Sequence, residues 1–389
     1  MIQRLAILGA TGSIGTSTVQ VVRQHPERLR VTALAASGRR LEPLVELSRE
    51  LRPAIVAVFD AAAAAELKSM LPAAADIEVV GGEEGLIAAA THPDVDRVVA
   101  AMVGARGLAP VHAALAAGKD VALANKESLV VAGRLLTRLA RQRGAEILPI
   151  DSEHAALHQA LRAGKASEVK RLVLTASGGP FRTRAAGTWN EISPQEALRH
   201  PTWSMGAKIS IDSATMMNKG LELIEASHLF SVAPQAIDVV VHPQSIVHSL
   251  VEFCDGSWLA QLAVNDMVLP IQYALAFPDR WPNEFPALEP AALGSLDFEP
   301  VAHDRFPSIA LARQALAMGE SAPAVLNAAN ERAVMAFLNG AIRFPQIFEL
   351  VADVLEGHWA EEVSDLDAAL GWDRWGRRRA EEWLAGNRR

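Results

Sequence analysis

The chain has 389 residues, half of them hydrophobic, with 37 Lys and Arg against 45 Asp and Glu and a formal net charge of -8. Such a length calls for two or three domains on the usual scale; an acidic balance without a basic tract argues against nucleic-acid binding, and no apolar run is long enough to span a bilayer. The lone cysteine, Cys254, excludes an intrachain disulfide, fits a reducing cytoplasm and reads as buried filler.

The first predicted strand, Leu5 to Leu8, begins so near Met1 that no signal or transit peptide is expected. It runs into Gly9-Ala-Thr11-Gly12-Ser13-Ile14-Gly15 and then a helix-like stretch from Ser17 to Gln24. Strand, glycine turn and helix form a cradle for a pyrophosphate, with the helix N-terminus facing the anion. A second strand, Val31 to Ala35, ends at Ser37-Gly38-Arg39-Arg40, where an NAD-selective domain would place an acid. Two arginines in its stead favour NADPH, since guanidiniums hold a 2′-phosphate. The alternative is that Arg39 and Arg40 are surface charges opening the next helix. Further strands at 55–58, 77–80, 97–100 and 121–124 alternate with alanine-rich helices, which predicts a doubly wound, mostly parallel sheet.

A short apolar run then ends in Asp151-Ser152-Glu153-His154. As the end of a strand it would point Asp151 and Glu153 the same way, and two close carboxylates repel unless a cation lies between them. The competing reading is that Ser152 and Glu153 cap a helix beginning near Ala155. From Leu172 the strands lengthen, at 172–175, 237–241, 245–253 and 257–264, giving an α+β domain with a largely antiparallel sheet.

Between those strands stands the most informative segment, Asp212-Ser213-Ala-Thr-Met-Met-Asn218-Lys219-Gly-Leu-Glu222. As one helix it would put amide, ammonium and carboxylate on one face, with Ser213 near the start as an anion-attracting cap. Met216, Met217, Leu221, Leu223 and Ile224 cover the rest of the surface, so the polar stripe reads as the wall of a site. Glu222 with Asp151 and Glu153 makes an all-oxygen set suited to Mg2+ or Mn2+, with Co2+ a further candidate. His154 and His158 have the spacing of a zinc pair but lack the HExxH pattern. His242 and His248 read as hydrogen-bonding groups in or beneath the site.

Proline-dense residues 278–300 read as a linker, and helical periodicity at 308–318, 322–338, 345–355 and 366–384 predicts a small helical carboxy-terminal domain. Its tryptophans Trp359, Trp372, Trp375 and Trp383 are expected in the core. The division is thus 1–150 for the Rossmann-type NADPH domain, 151–277 for the catalytic and dimerisation α+β domain, and 301–389 for the helical domain.

The combination of the glycine turn, Ala124-Asn-Lys-Glu-Ser128, Asp151 to His154, Ala176-Ser-Gly-Gly-Pro180, His200-Pro-Thr-Trp-Ser-Met-Gly206, Asp212 to Glu222 and His242 to His248 resembles the 1-deoxy-D-xylulose 5-phosphate reductoisomerase family. The resemblance implies NADPH- and divalent-metal-dependent conversion of 1-deoxy-D-xylulose 5-phosphate to 2-C-methyl-D-erythritol 4-phosphate, the committed step of non-mevalonate isoprenoid synthesis, by a cytoplasmic homodimer open to phosphonate substrate analogues. By resemblance Asp151, Glu153 and Glu222 ligate the metal; Ser177, Ser213, Asn218 and Lys219 hold the phosphate with His200 nearby; Ser152 and Lys126 meet the ketol end. Thr11, Gly12, Ser13 and Ile14 match the pyrophosphate turn, and Gly38, Asn125, Glu127 and Gly206 further NADPH contacts, the Ser37 to Arg40 turn being one residue longer than the family's. Trp203 and Met205 would lie on a mobile lid between domains, unless Trp203 is core. Two other readings stay open. A semialdehyde or sugar-phosphate dehydrogenase would need no carboxylate triad, and a silent NADPH sensor or scaffold should have lost part of the site.

Overall fold

Strands of a parallel sheet covered on both faces must be apolar throughout. The computed structural model, which describes residues 2–72, 76–203 and 205–387, shows that pattern in the first part of the chain. There the elements alternate as β1 (Gln3–Leu8), α1 (Ser13–Gln24), β2 (Leu29–Ala36), α2 (Glu42–Leu51), β3 (Ile55–Val58), α3 (Ala61–Met70), β4 (Glu78–Gly81), α4 (Gly82–Thr91), β5 (Arg97–Ala100), α5 (Leu108–Ala116), β6 (Asp120–Leu123), α6 (Lys126–Arg143), β7 (Ile147–Pro149) and α7 (Ser152–Leu161). Then follow β8 (Val169–Ala176), α8 (Pro194–Ala197), α9 (Ala207–Ala214), α10 (Met217–Phe230), β9 (Ile237–Val241), β10 (Val247–Phe253), β11 (Trp258–Leu262), α11 (Val268–Ala276), β12 (Glu299–Pro300), α12 (Ser308–Met318), α13 (Ala322–Leu338), α14 (Gln346–Glu356) and α15 (Leu366–Gly386).

Two compact units result: Met1–Ser128 with Leu136–Ala155 and Asp266–Phe285, and Leu129–Leu135 with Ala156–Asn265 and Pro286–Arg389. In the first, seven parallel strands run in the order β4-β3-β2-β1-β5-β6-β7. The chain winds outward from β1 through β4, then resumes on the other side of β1 with β5. That reversal opens a crevice at the carboxyl ends of β1 and β5, the place where doubly wound sheets bind ligands. All four residues of β3 and of β5 are buried, and β1 buries its last four, each large aliphatic chain contributing about 1.5–3 kcal/mol.

The second unit is built on a five-stranded sheet, β11-β10-β8-β9-β12, antiparallel at every pair except β8 with β9. Because β8 and β9 are parallel, a crossover must join them, and α8 to α10 lie on it. Helices α10 and α12 to α15 complete the core with a ring cluster in which Phe344 touches Phe181, Trp189, Phe337 and Phe348. Trp372, Trp375 and Trp383 pack against this core, but Trp359 is 59% exposed despite its ring contacts with Trp372 and Trp375. Cys254 is likewise exposed, contrary to expectation, because it follows the end of β10 in the turn to β11.

Helix α10 also carries His228, beside the Arg134–Glu320 ion pair. Burial, aided by the Arg134 charge and opposed by Glu320, pushes its imidazole down to about 4. An unfolded histidine protonates near pH 6.5. Below that pH the unfolded chain takes up a proton that the folded chain refuses until about pH 4, so stability is full above 6.5 and falls between 6.5 and 4. The loss is on the order of 3 kcal/mol at most. Denaturant titrations from pH 7.5 to 4.5 should therefore show a shallower decline for His228→Gln than for the wild type; parallel curves would remove His228 from the acid response.

Candidate active site

In the first unit the turn after β1 is shaped by packing as much as by conformational freedom. A Cβ on Gly15 would lie 2.5 Å from the Ala10 carbonyl oxygen and closer still to that of Gly9, so only glycine lets α1 start hard against the turn. This close approach extends the helix back to Ser13, ahead of the predicted Ser17. Gly12 gives α1 no side-chain cap, which leaves first-turn N–H groups to an anion. Thr11 and Ile14 are half-buried around that end, while Gly12 and Ser13 are exposed. Past β2, Ser37, Arg39 and Arg40 are exposed, Gly38 takes φ 87°, and neither guanidinium pairs with a carboxylate among the described residues. These residues fit a dinucleotide carrying an extra phosphate.

Asn125 follows β6 and caps α6, its Oδ1 accepting from the Ser128 N–H at 3.0 Å. Its amide nitrogen donates to Glu127 Oε2 (2.8 Å) and to the Met102 carbonyl (2.5 Å), tying the loop after β5 to the start of α6. One residue on, buried Lys126 reaches Asp151 Oδ1 at 2.5 Å, while His154 Nδ1 lies 2.8 Å from Asp151 Oδ2. Since β6 and β7 are neighbours, their carboxyl ends bring Lys126 and Asp151 together. Strand alternation is not what sets Asp151 against Glu153. β7 stops at Pro149, α7 starts at Ser152, and the Ala155 N–H bonds the Asp151 carbonyl at 2.8 Å. Asp151 thus precedes the helix and Glu153 sits in its first turn, where the helix dipole favours an anion; Ser152 Oγ donates to the Glu153 carboxylate.

In the second unit, the segment 212–222 is two helices, not one. α9 ends at Ala214, Met216 takes φ 61°, and α10 begins at Met217. Ser213 therefore lies in the last turn of α9 and caps no helix start. Asn218, Lys219 and Glu222 share the predicted face of α10: Asn218 Nδ2 donates to Glu222 Oε1 at 2.5 Å, and the Lys219 ammonium pairs with Glu222 Oε2. Glu222 is 0% exposed, and a buried carboxylate needs such company.

Ser177 follows β8, and a Cβ on Gly179 would fall 2.6 Å from the Ser213 carbonyl oxygen. This glycine lets the Ser177 turn lie against the end of α9. His200 Nδ1 accepts the backbone N–H groups of Trp203 (2.9 Å) and Thr202 (3.2 Å), which assigns the ring hydrogen to Nε2, donating to Ser177 Oγ at 3.0 Å. Gly179 N–H also donates to Ser177 Oγ (3.2 Å), which leaves the serine's own hydrogen for a further acceptor. Trp203 and Met205 are half-buried and Gly206 exposed; Ser204 of the same motif lies outside the described residues. His242 Nδ1 donates to the Asp297 carbonyl at 2.8 Å. Sequence reasoning missed the tie of His154 to Asp151, whose only signal was their i,i+3 spacing, and the helix break at Met216, which left none.

Three family models match the chain: 1-deoxy-D-xylulose 5-phosphate reductoisomerase over residues 5–133, the C-terminal domain of that enzyme over 147–230, and a DXP reductoisomerase C-terminal domain over 262–379. The 1-deoxy-D-xylulose 5-phosphate reductoisomerase of Symbiobacterium thermophilum is 53% identical over 97% of this chain and 98% of its own. That of Ralstonia nicotianae is 52% identical over 99% and 98%. A crystal structure of DOX-P reductoisomerase in complex with NADPH, fosmidomycin and magnesium superposes with a TM-score of 0.94 at 44% identity, covering 99% of this chain and 98% of the other. The Zymomonas mobilis enzyme in complex with NADPH gives 0.93 at 40% identity, covering 100% of both chains.

The glycine turn offers a direct check. Gly15→Ala should weaken dinucleotide binding at least tenfold in a fluorescence titration with NADPH, because the added Cβ must push α1 off the turn. An unaltered affinity in a folded variant would take the turn out of the cofactor site.

Proposed function

This chain belongs to the 1-deoxy-D-xylulose 5-phosphate reductoisomerase family, and from that premise we propose how its own residues serve the reaction. The reaction is the NADPH- and divalent-metal-dependent isomerisation and reduction of 1-deoxy-D-xylulose 5-phosphate to 2-C-methyl-D-erythritol 4-phosphate, in isoprenoid precursor biosynthesis. The observation that best supports the residue roles is the start of α10, where a buried ammonium and an amide converge on a buried carboxylate.

Lys219, Asn218, Ser213 and Ser177 hold the substrate phosphate, with His200 aiming the Ser177 hydroxyl from behind. A neutral imidazole is what this role needs, because a cationic ring would carry hydrogen on Nδ1 and lose both backbone donors. Asp151, Glu153 and Glu222 are the ligands for a divalent ion, Mg2+ or Mn2+ by the hardness of three carboxylates. When bound, the ion polarises the substrate's carbonyl and adjacent hydroxyl, and NADPH supplies the hydride. Lys126 and Ser152 orient the ketol oxygens, Lys126 being held in place by its ion pair with Asp151. Thr11 to Ile14 cradle the pyrophosphate, Arg39 and Arg40 the 2′-phosphate, and Gly38, Asn125, Glu127 and Gly206 line the rest of the cofactor's path. Trp203 and Met205 cover the bound substrate and exclude water. A cytoplasmic location fits the single exposed thiol.

The homodimer is proposed to form across β11, the open edge of the five-stranded sheet. Its Trp258, Leu259 and Leu262 are 45%, 39% and 36% exposed, a combination of unpaired backbone and apolar side chains that edge strands otherwise avoid. Leu259→Glu should shift the mass measured by light scattering from dimer to monomer; a retained dimer would move the interface elsewhere.

The reaction itself is tested by loss of reduced-nicotinamide absorbance with NADPH and 1-deoxy-D-xylulose 5-phosphate, with Mg2+, with a chelator, and with NADH as substitute. Metal-dependent oxidation of NADPH, poor with NADH, is the expected result, and oxidation indifferent to chelator would sink the metal role. Glu222→Gln should lower turnover by about a thousandfold or more, the scale of several kcal/mol in the barrier, with NADPH affinity kept. Near-normal turnover would remove Glu222 from the metal site.

A further inference from the structure

The break between α9 and α10 divides the proposed phosphate wall, with Ser213 on one side and Asn218 and Lys219 on the other. Its pivot, Met216, is a non-glycine residue in the left-handed region (φ 61°, ψ 7°), a conformation that costs on the order of 1–2 kcal/mol and persists only where surroundings enforce it. The enforcing contacts come from the carboxy-terminal helices. On the α9 side, Asp212 is 1% exposed and accepts from Asn330 Nδ2 of α13 at 2.8 Å, while its other oxygen pairs with Lys208 at 2.8 Å. On the pivot itself, Ser308 Oγ, at the start of α12, donates to the Thr215 carbonyl at 2.8 Å, and the Thr215 hydroxyl turns back onto the Ile211 carbonyl at 3.0 Å. Asn330 and Ser308 are each 0% exposed, so neither bond has water to replace it.

We propose that Asn330 and Ser308 are positioning residues for substrate phosphate: through Asp212 and Thr215 they fix both arms of the α9–α10 break so that Ser213, Asn218 and Lys219 converge on one anion. The proposal rests on the assignment of those three residues to the phosphate. Asn330 has a fixed orientation because a carboxylate only accepts, which turns the amide nitrogen, and not the oxygen, towards Asp212. Ala328, Ala329 and Ala333, its near neighbours in α13, are buried and apolar, and beside them a wholly buried amide has no packing advantage. Buried polar pairs of this kind specify one geometry at the expense of some stability.

The test measures affinity for a phosphonate substrate analogue and, separately, for NADPH, in the intact enzyme with Mg2+. Asn330→Ala should weaken the phosphonate about tenfold or more and Ser308→Ala about threefold, with NADPH affinity unmoved in both. The exchanged pair Asp212→Asn with Asn330→Asp, which restores a carboxylate–amide bond at the same place, should recover a substantial part of the affinity that Asn330→Ala loses, the remainder going with the Lys208–Asp212 ion pair that the exchange removes. A general loss of structure would lower NADPH affinity and melting temperature alike and would not be rescued by the exchange; that pattern overturns the proposal. Lys219→Ala serves as the reference. If it weakens the phosphonate while folded Asn330→Ala and Ser308→Ala do not, the positioning role fails and the phosphate wall stands. If Lys219→Ala also leaves the phosphonate unaffected, the wall and the positioning role fall together.

Discussion

In each unit a buried lysine neutralises a carboxylate. Asp151 faces Lys126 in the first unit, and Glu222 faces Lys219 in the second, both lysines buried. An uncompensated carboxylate at the depth of Glu222 would cost several kcal/mol, enough to consume much of a domain's stability. The paired arrangement keeps each unit foldable.

Backbone architecture decides where those pairs stand. In the first unit the glycine turn, Asn125, Lys126 and Asp151 all follow the carboxyl ends of parallel strands, on the edge of the sheet that doubly wound folds reserve for ligands. The second unit repeats the device with a single parallel pair: Ser177 follows β8, and the crossover to β9 carries Ser213, Asn218, Lys219 and Glu222. One physical rule, that crossover helices turn their ends towards the carboxyl edge of the strands they join, thus places the polar groups of both units.

Much of this was legible in the sequence because burial dictates composition. Strands β3, β5 and β9 and helices α12 and α13 have the boundaries that apolar runs and periodicity predict, since the face each turns to the core fixes which side chains it carries there. The face shared by Asn218, Lys219 and Glu222 was equally legible, being a matter of i,i+3 and i,i+4 spacing. Legibility failed where tertiary contacts override local preference. Nothing in Ala214-Thr-Met-Met217 announces a left-handed residue; the bend is imposed by Ser308 and Asn330, roughly a hundred positions away in sequence. The three-residue β7 was too short for an alternation argument to reach Glu153, and the exposure of Cys254 and Trp359 reflects which turn each happened to occupy.

That failure identifies what the carboxy-terminal helices contribute. The phosphate lies away from the carbons that rearrange, so its binding energy helps turnover only if the wall is already in the geometry the transition state needs. A wall split by a strained residue would, left to itself, relax to a commoner backbone conformation and spread its donors. Packing alone is a weak remedy, because apolar contacts are non-directional and tolerate small slides of one helix over another. Two buried hydrogen bonds, one to a side chain of α9 and one to the carbonyl beside the pivot, are directional and lose heavily when stretched. On the proposed assignment, the helical region acts on the chemistry through Asp212 and Thr215, by holding the two arms that carry Ser213, Asn218 and Lys219 to one arrangement.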